Sequence, residues 1–452
     1  MDVWEQSWLL TGLAIAACFF VAEVLRQVLP PLRALGLPGS IFAGVLALLV
    51  GPECFGAIAI DSSVLKSVVY HGLAIVFIAI ALTPPKPTQK ASTAPDATSL
   101  AFGIVVMISL QTAVGLVVVL AMNALGQATH PGFGLMLALG FEQGPGQAMA
   151  MGKAWEMAGG LANGEELGLI VAAAGFAWSI LVGVPLVAIG RMKGWTASAP
   201  AAIDLPASVV EEEGHTGSID RLTQQLVLVG LCYLVTLALC SGLYVLISMF
   251  AADIASMVWG FHFIIGALVA TAIRTVLIRL GAGAVLCRAL LPRISGSAVD
   301  ITTVSAIAAV QISVLASSWA PIVVLTTVGG LLTLLLCLVV SPRAFGESRF
   351  EHMIVWFGMS TGTLPMGLAL LRIVDPDLKT SAPISAVAGS AGAAIGAVPV
   401  VLLLHPAIVA TWPEGSGLTL LLLATLAYAL VVAAVWWGTG RLKLTRRAPW
   451  VT

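Results

Sequence analysis

Long apolar runs recur along almost the whole of this chain, and they limit its possible folds more than any other feature. Many continue for about twenty residues, whereas soluble cores use strands of roughly five residues and helices of about a dozen. Only 10% of the residues are charged. A backbone in lipid must pair with itself, and barrel strands would alternate apolar and polar residues over about ten positions. We therefore predict an all-α polytopic membrane protein.

The runs predict eleven full crossings and two interrupted segments. The crossings are placed at 8–28, 38–50, 68–82, 100–122, 167–190, 223–249, 257–278, 301–316, 321–340, 382–404 and 417–437. Asp300 is expected to cap the start of the eighth crossing. The interrupted segments, about 132–155 and 350–371, are broken by Gly and Pro near their middle and are too short to cross twice. Each is predicted to be a re-entrant hairpin of two half-helices.

Lys and Arg clusters predict the orientation of the chain. They follow the first, third, fifth, seventh, ninth and last crossings, and cytoplasmic loops carry an excess of these residues. The C-terminus is therefore predicted to be cytoplasmic and the N-terminus external. The polar stretch 196–220, with three glutamates at 211–213, has no apolar period and is predicted to be a cytoplasmic linker.

An internal repeat relates the two parts of the chain. The segment from Ala172 aligns without gaps onto the segment from Ala386, and in both copies a broken segment precedes a Gly- and Ala-rich span that ends in Val-Pro. We predict a first repeat over 1–195, a second over 221–410, and an extra crossing with a tail over 411–452. Because each repeat has five crossings, the second copy is predicted to be inverted. Such repeats are typical of secondary transporters.

The two hairpin tips are the predicted binding site. Half-helix N-termini present unpaired backbone N–H groups and a positive dipole end to an anion, and glycine allows close approach. For any single polar residue, bonding to its own backbone is an equally good interpretation. Two spans contribute further polar faces. The predicted site residues are Gly140, Glu142, Gln143, Gly144, Gly146, Gln147, Gly358, Ser360, Thr361, Gly362, Thr363, Thr302, Thr303 and Gln111.

Glu142 is the most informative single residue, because a carboxylate inside a membrane hairpin is costly unless it meets a cation or water. Four roles stay open: it binds a coupling cation such as sodium, faces a substrate ammonium, carries a proton, or lies solvated at the outer mouth. Lys153 and Arg372 end the two hairpins and are predicted to anchor at the membrane edge.

The sequence resembles the bacterial sodium/glutamate symporters over nearly its whole length. The resemblance lies in Leu37-Pro38-Gly39, the first hairpin from Gly140 to Gly146, and the Gly-rich span that ends at Pro185. It implies two inverted repeats with re-entrant loops, sodium-coupled uptake of glutamate, an elevator-like motion, a homodimer and a bacterial inner membrane. This chain departs from the family in having Glu, Gln, Ser and Thr at tips that are usually richer in glycine, and in its extra C-terminal crossing.

Other classes of function have weaker support. A net charge of −1 gives no basic footprint for nucleic acid. The spans carry no catalytic cluster, so we predict that the chain is not an enzyme and has no cofactor other than a coupling sodium ion. The six cysteines and six histidines show no metal-ligand spacing. An ion channel and a transporter of citrate or a dicarboxylate are the alternatives. The predicted partners are a small anionic substrate, sodium and the bilayer.

Overall fold

The computed structural model describes residues 7–29, 38–84, 95–157, 160–196, 219–250, 255, 257–346, 348–376, 380–400, 416–443 and 450. Every regular element in these ranges is helical, as the apolar runs predict. The α-helices are α1 (Ser7–Val28), α2 (Gly39–Val50), α3 (Ser62–Leu82), α4 (Pro95–Ala124), α5 (Pro131–Ala138), α6 (Pro145–Met157), α7 (Gly164–Trp178), α8 (Val184–Met192), α9 (Arg221–Ser248), α10 (Met257–Gly260), α11 (His262–Arg279), α12 (Leu290–Ala308), α13 (Ile312–Ser317), α14 (Trp319–Ala344), α15 (Arg349–Val374), α16 (Ala382–Val398) and α17 (Ser416–Gly438).

Nine helical stretches of the described part are long and apolar enough to cross a membrane, and α2 and α16 are shorter apolar helices. This number agrees with a polytopic membrane protein. The predicted eighth crossing is wrong in its bounds, because α12 begins at Leu290 and ends at Ala308, and a separate short helix follows. Asp300 therefore lies inside α12 and does not cap it. Pro292 does not prevent this early start, since a first helical turn needs no N–H donor.

Several predicted segments lie outside the described residues. They are most of the linker, the end of the tenth crossing with the loop after it, and most of the C-terminal tail, at 197–218, 401–415, 444–449 and 451–452.

The chain forms two compact units, each drawn from both predicted repeats. The first unit comprises Met1–Phe19, Ala43–Ala91 and Asp204–Ala309, and the second comprises Phe20–Phe42, Ser92–Ile203 and Val310–Thr452. The repeat boundaries stay a prediction. Both broken segments, however, belong to the second unit.

In the first unit, α3 packs against α11 and α12, and α9 packs against α11. Small residues allow close approach: a Cβ at Gly266 would lie 3.0 Å from Ile78. Arg274 closes the end of α3 by donating to the carbonyl oxygens of Ala81 and Thr83, at 2.7 and 3.1 Å. These main-chain bonds satisfy two carbonyls at a helix terminus.

In the second unit, α4 is the central support. It packs against α5, α14, α16 and α17, and α15 packs against α14 and α16. Large buried side chains of α15, including Trp356 and Phe357, fill the core of this unit. Gly103 of α4 accommodates Trp356, because a Cβ there would lie 2.9 Å from its ring.

Candidate functional site

Two helices of the second unit are broken at their middle. After α5, the chain continues as one π-helical turn, Leu139–Gln143, and breaks at Gly144 with φ 90° and ψ 178° before α6 begins. Helix α15 is interrupted at Gly362 and at Thr363, where φ is 71° and ψ is 172°. Gly144 and Thr363 thus share one backbone conformation, which glycine adopts readily and other residues rarely do.

The first broken segment folds back on itself. A Cβ at Gly132, near the start of α5, would lie 2.8 Å from the ring of Trp155, near the end of α6. A Cβ at Gly160 would overlap the ring of His130. The start and the end of residues 131–157 therefore lie together, and we call this segment the first hairpin, with its tip at Gly144.

The second broken segment also folds back. A Cβ at Gly358 would lie 2.7 Å from the Cα of Gly367, and a Cβ at Gly367 would lie 2.5 Å from the carbonyl oxygen of Val355. The two arms are thus antiparallel and their main chains nearly touch. We call residues 349–374 the second hairpin, with its tip at Gly362 and Thr363.

One continuous helix relates the two hairpins to each other. It runs through α7, a π-helical turn at Ser179–Gly183, and α8. At its first residue, Gly164, it packs against Gly152 of the first hairpin. At its last turn, Gly190 packs against Phe350, and Arg191 donates a hydrogen bond to the carbonyl oxygen of Ile373. The open ends of the hairpins therefore lie at opposite ends of this helix.

The tips meet beside the middle of the same helix. Gly175 packs against the carbonyl oxygen of Thr361, and a Cβ there would lie 3.0 Å from Phe141 of the first hairpin. A Cβ at Gly144 would lie only 2.5 Å from Cγ2 of Thr363. The two hairpins enter the second unit from opposite ends and contact each other tip to tip.

A buried polar network supports the second tip. Gln111 of α4 is fully buried and donates Nε2 to Thr333 Oγ1 and to the carbonyl oxygen of Ser360, both at 2.9 Å. Thr361 donates to the carbonyl oxygen of Phe357 at 2.8 Å, so its hydroxyl accepts from Ser179 at 2.5 Å. Two separate helices thus hold the second tip through hydrogen bonds.

Several polar atoms at the tips are buried without a hydrogen-bond partner among the described residues. They are Gln111 Oε1, Glu142 Oε2, Gln143 Nε2, Gln147 Oε1 and Ser360 Oγ. The Glu142 carboxyl lies within reach of the Ser360 hydroxyl and interacts electrostatically with the buried Cys337 thiol. Buried polar atoms are almost always paired, so a cluster of unpaired ones calls for a ligand, an ion or water.

The predicted site residues divide between the two units. Eleven hairpin residues and Gln111 belong to the second unit, whereas Thr302 and Thr303 belong to the first. Thr302 is buried, and its hydroxyl fills the space beside Gly72 of α3. Gly140 has a packing role, since a Cβ there would lie 2.9 Å from the backbone nitrogen of Ala172.

The two basic residues at the hairpin ends have different surroundings. Lys153 forms an ion pair of 2.9 Å with Glu165 at the start of α7, next to the open end of the first hairpin. Arg372 is exposed near the end of α15. Nothing in these contacts brings either cation to the tips.

Ser179, Thr333 and Cys337 were not among the predicted site residues. Ser179 bonds to Thr361 of the second tip, Thr333 accepts from Gln111, and Cys337 interacts electrostatically with Glu142. Ser179 and Thr333 are fully buried polar residues in otherwise apolar runs. A single hydroxyl in an apolar run only weakly indicates a functional site, because such hydroxyls usually bond back to their own helix. In the described part of the chain, no group of three or more His, Cys, Asp or Glu residues is placed to hold a metal ion.

In comparisons with known proteins, no family model matches the sequence and no curated protein matches it significantly.

Proposed function

We propose that this protein is a secondary active transporter that carries a small anionic solute across a membrane by alternating access. The observation that carries the proposal is the tip-to-tip contact of Gly144 and Thr363, on hairpins that enter from opposite ends of one helix. Discontinuous helices that meet near the midplane are how many transporters expose one site to each side in turn. On this proposal the two repeats are inverted and both hairpins are re-entrant.

The chemistry of the tips favours an anion that also carries a positive group. The α6 N-terminus begins directly after Gly144, and the second arm of the second hairpin begins after Thr363. Both present N–H groups and a positive dipole end, which favour a carboxylate. Glu142 adds a carboxyl group nearby, whose charge a substrate ammonium, a coupling cation or a proton would balance. A glutamate-like amino acid supplies both kinds of group.

The compact units favour an elevator-like mechanism. Both tips and their support from α4, α7 and α14 belong to the second unit, so the tips and this support can move together. Both described hairpins belong to the second unit. The resemblance to sodium/glutamate symporters adds sodium coupling, a homodimer and a bacterial inner membrane to the proposal.

A transporter of citrate or another carboxylate is the second candidate. It is favoured by the two helix N-termini, which recognise carboxylates without any ammonium. Glu142 discriminates between the two candidates. The ammonium group of an amino acid can offset the charge of the Glu142 carboxylate, whereas a dicarboxylate would need a separately bound cation.

The experiment is uptake into proteoliposomes of the purified protein, with a panel of labelled amino acids and organic acids under imposed sodium or proton gradients. We expect saturable accumulation of one acidic substrate, driven by sodium. Non-saturable flux that follows only the electrochemical gradient of an ion would support a channel instead. Protein-free liposomes are the control.

A further inference from the structure

Three polar side chains from three separate elements meet beside the hairpin tips. Gln111 of α4 donates to the main chain of Ser360 on the second hairpin, and Glu142 of the first hairpin lies beside the Ser360 hydroxyl. Helix α14 contributes to the same place, because Thr333 accepts from Gln111 and Cys337, one turn later, interacts electrostatically with Glu142. Ser360 of the second hairpin and helix α14 are therefore each close to both Gln111 and Glu142.

The orientation of the Gln111 amide is determined by its partners. The hydroxyl of Thr333 donates to the carbonyl oxygen of Gly329 at 2.8 Å, so its oxygen accepts from Gln111 Nε2. The other partner, the carbonyl oxygen of Ser360, only accepts. A flipped amide would place two carbonyl oxygens against each other. The unpaired atom of this fully buried side chain is therefore the acceptor Oε1.

The unpaired acceptor atoms of the cluster favour a positively charged ligand. Gln111 Oε1 and Glu142 Oε2 are both acceptors, and both are buried without a partner in the described part of the chain. The last turn of the first arm, Leu139–Gln143, directs its carbonyl oxygens and negative dipole end toward the same break. A neutral donor would leave the carboxylate charge uncompensated in a buried place, which is strongly unfavourable.

From these observations we infer that Gln111, Glu142 and Ser360 form a binding site for a monovalent metal cation, with sodium as the first candidate. All three supply oxygen, which hard cations prefer, and one cation neutralises one carboxylate. The site rests on the proposed function and deepens it: the cation lies at the end of the first arm, while the substrate anion takes the helix N-termini beyond the breaks. Gln111 thereby connects the cation to the second tip.

Thermal unfolding of the purified full-length protein tests the site without knowledge of the substrate. Melting is measured in sodium, lithium, potassium and choline chloride at constant ionic strength and pH. We expect sodium to raise the melting temperature, because a ligand that binds only the folded state stabilises it. Glu142→Gln and Ser360→Ala should require at least about tenfold more sodium for the same shift, a loss of about 1.4 kcal/mol in binding.

Gln111→Met removes the third ligand and should weaken the sodium response in the same way. If Gln111→Met does not fold, the near-isosteric Glu142→Gln still tests the site. The matched control is Ser109→Ala on the same helix, because Ser109 is fully buried and bonds only to the carbonyl oxygen of Val105. Its sodium response should equal that of the wild type. An unchanged sodium response in Glu142→Gln, or no response to any metal cation in the wild type, would overturn the inference.

Two further results separate this inference from the proposed function. Sodium-driven uptake that survives unchanged in Glu142→Gln and Ser360→Ala would remove the cation site while transport stands. Loss of sodium stabilisation in those variants, without accumulation of any solute by the wild type, would support the site and contradict transport. A stabilisation of the wild type that depends on pH but not on sodium, and disappears in Glu142→Gln, would assign a proton to Glu142 and overturn the metal site.

Discussion

Thr363 is held in a backbone conformation that is almost restricted to glycine. Its φ of 71° and ψ of 172° nearly equal those of Gly144, which lies against it. A β-branched residue in this region stores about 1–3 kcal/mol of strain, and such strain concentrates at ligand sites. A glycine at position 363 would adopt this conformation without strain. The threonine side chain at the tip therefore lowers the stability of the protein.

Replacing Thr363 by glycine should stabilise the protein and impair its transport. The backbone strain is relieved, and after the entropy cost of glycine the net gain is about 1 kcal/mol in the free energy of unfolding. The contact with Gly144 and the hydroxyl at the tip are lost, so uptake should fall by about tenfold. Melting temperature and uptake are measured on the same preparation.

Thr363→Ser is the matched control, since it keeps the hydroxyl and the strained backbone. It should leave the melting temperature near that of the wild type and retain more uptake than Thr363→Gly. A Thr363→Gly variant that is less stable than the wild type, or that transports normally, would contradict a functional strain at this residue.

At the residue scale, the sequence predicts the tips better than their supports. Glu142 is recognisable because a carboxylate is unusual inside an apolar segment, and Gly144 because Gly and Pro interrupt the segment there. Ser179 and Thr333 are not, because a buried hydroxyl in a span looks the same whether it bonds to its own helix or to a neighbour. Only the packing of separate elements distinguishes the two cases.

Among the elements, the two hairpins depend on the long helix through α7 and α8. Apolar runs and Gly-Pro interruptions predict where the helices and their breaks lie. They do not predict the π-helical turns at Leu139–Gln143 and Ser179–Gly183, which have no sequence signature and often lie at functional sites. The start of α12 was mispredicted because Pro292 and the Ser-Gly-Ser stretch at 295–297 indicate a loop before Asp300, although the helix runs through them.

Ser179→Ala should destabilise the protein by about 1 kcal/mol through loss of one buried hydrogen bond between helices. Ser179 donates to Thr361 at 2.5 Å and thereby ties the long helix to the second hairpin. Ser109→Ala removes an equally buried hydroxyl that bonds only within its own helix, so it should cost less. Melting of the two variants in detergent gives the comparison. Equal losses of stability would mean that the Ser179 contact does not hold the hairpin.

For the whole molecule, the internal repeat and the compact units divide the chain differently. The alignment of Ala172 with Ala386 finds two similar halves, whereas each compact unit takes segments from both. A repeat is visible in one sequence because it is local similarity along the chain. The units follow from contacts between residues that are far apart in sequence, and apolar runs do not determine which runs contact each other.

The proposed inverted repeat makes a prediction about sidedness. Single cysteines at the positions of Glu211 and Arg446 should react with a membrane-impermeant thiol reagent only from the cytoplasm, and one at Asp2 only from outside. All three positions lie outside the described residues. Labelling of intact cells against inverted vesicles, in a background without the six native cysteines, is the measurement. Reaction of the Glu211 and Arg446 positions from opposite sides would contradict the inverted arrangement.

Gradient-driven uptake of an acidic amino acid by the wild type and by Gly144→Val and Gly362→Val, in matched proteoliposomes, tests whether the hairpin tips form the transport site. A side chain at Gly144 would strain the backbone and collide with Thr363, and one at Gly362 would lie 2.9 Å from Phe176. The control is Gly230→Val, because a Cβ there meets nothing within 4 Å. We predict saturable uptake by the wild type and the control, and a loss of about tenfold or more in both tip variants at equal incorporation. Wild-type uptake by both tip variants would place the transport site elsewhere and contradict the proposed site at the hairpin tips.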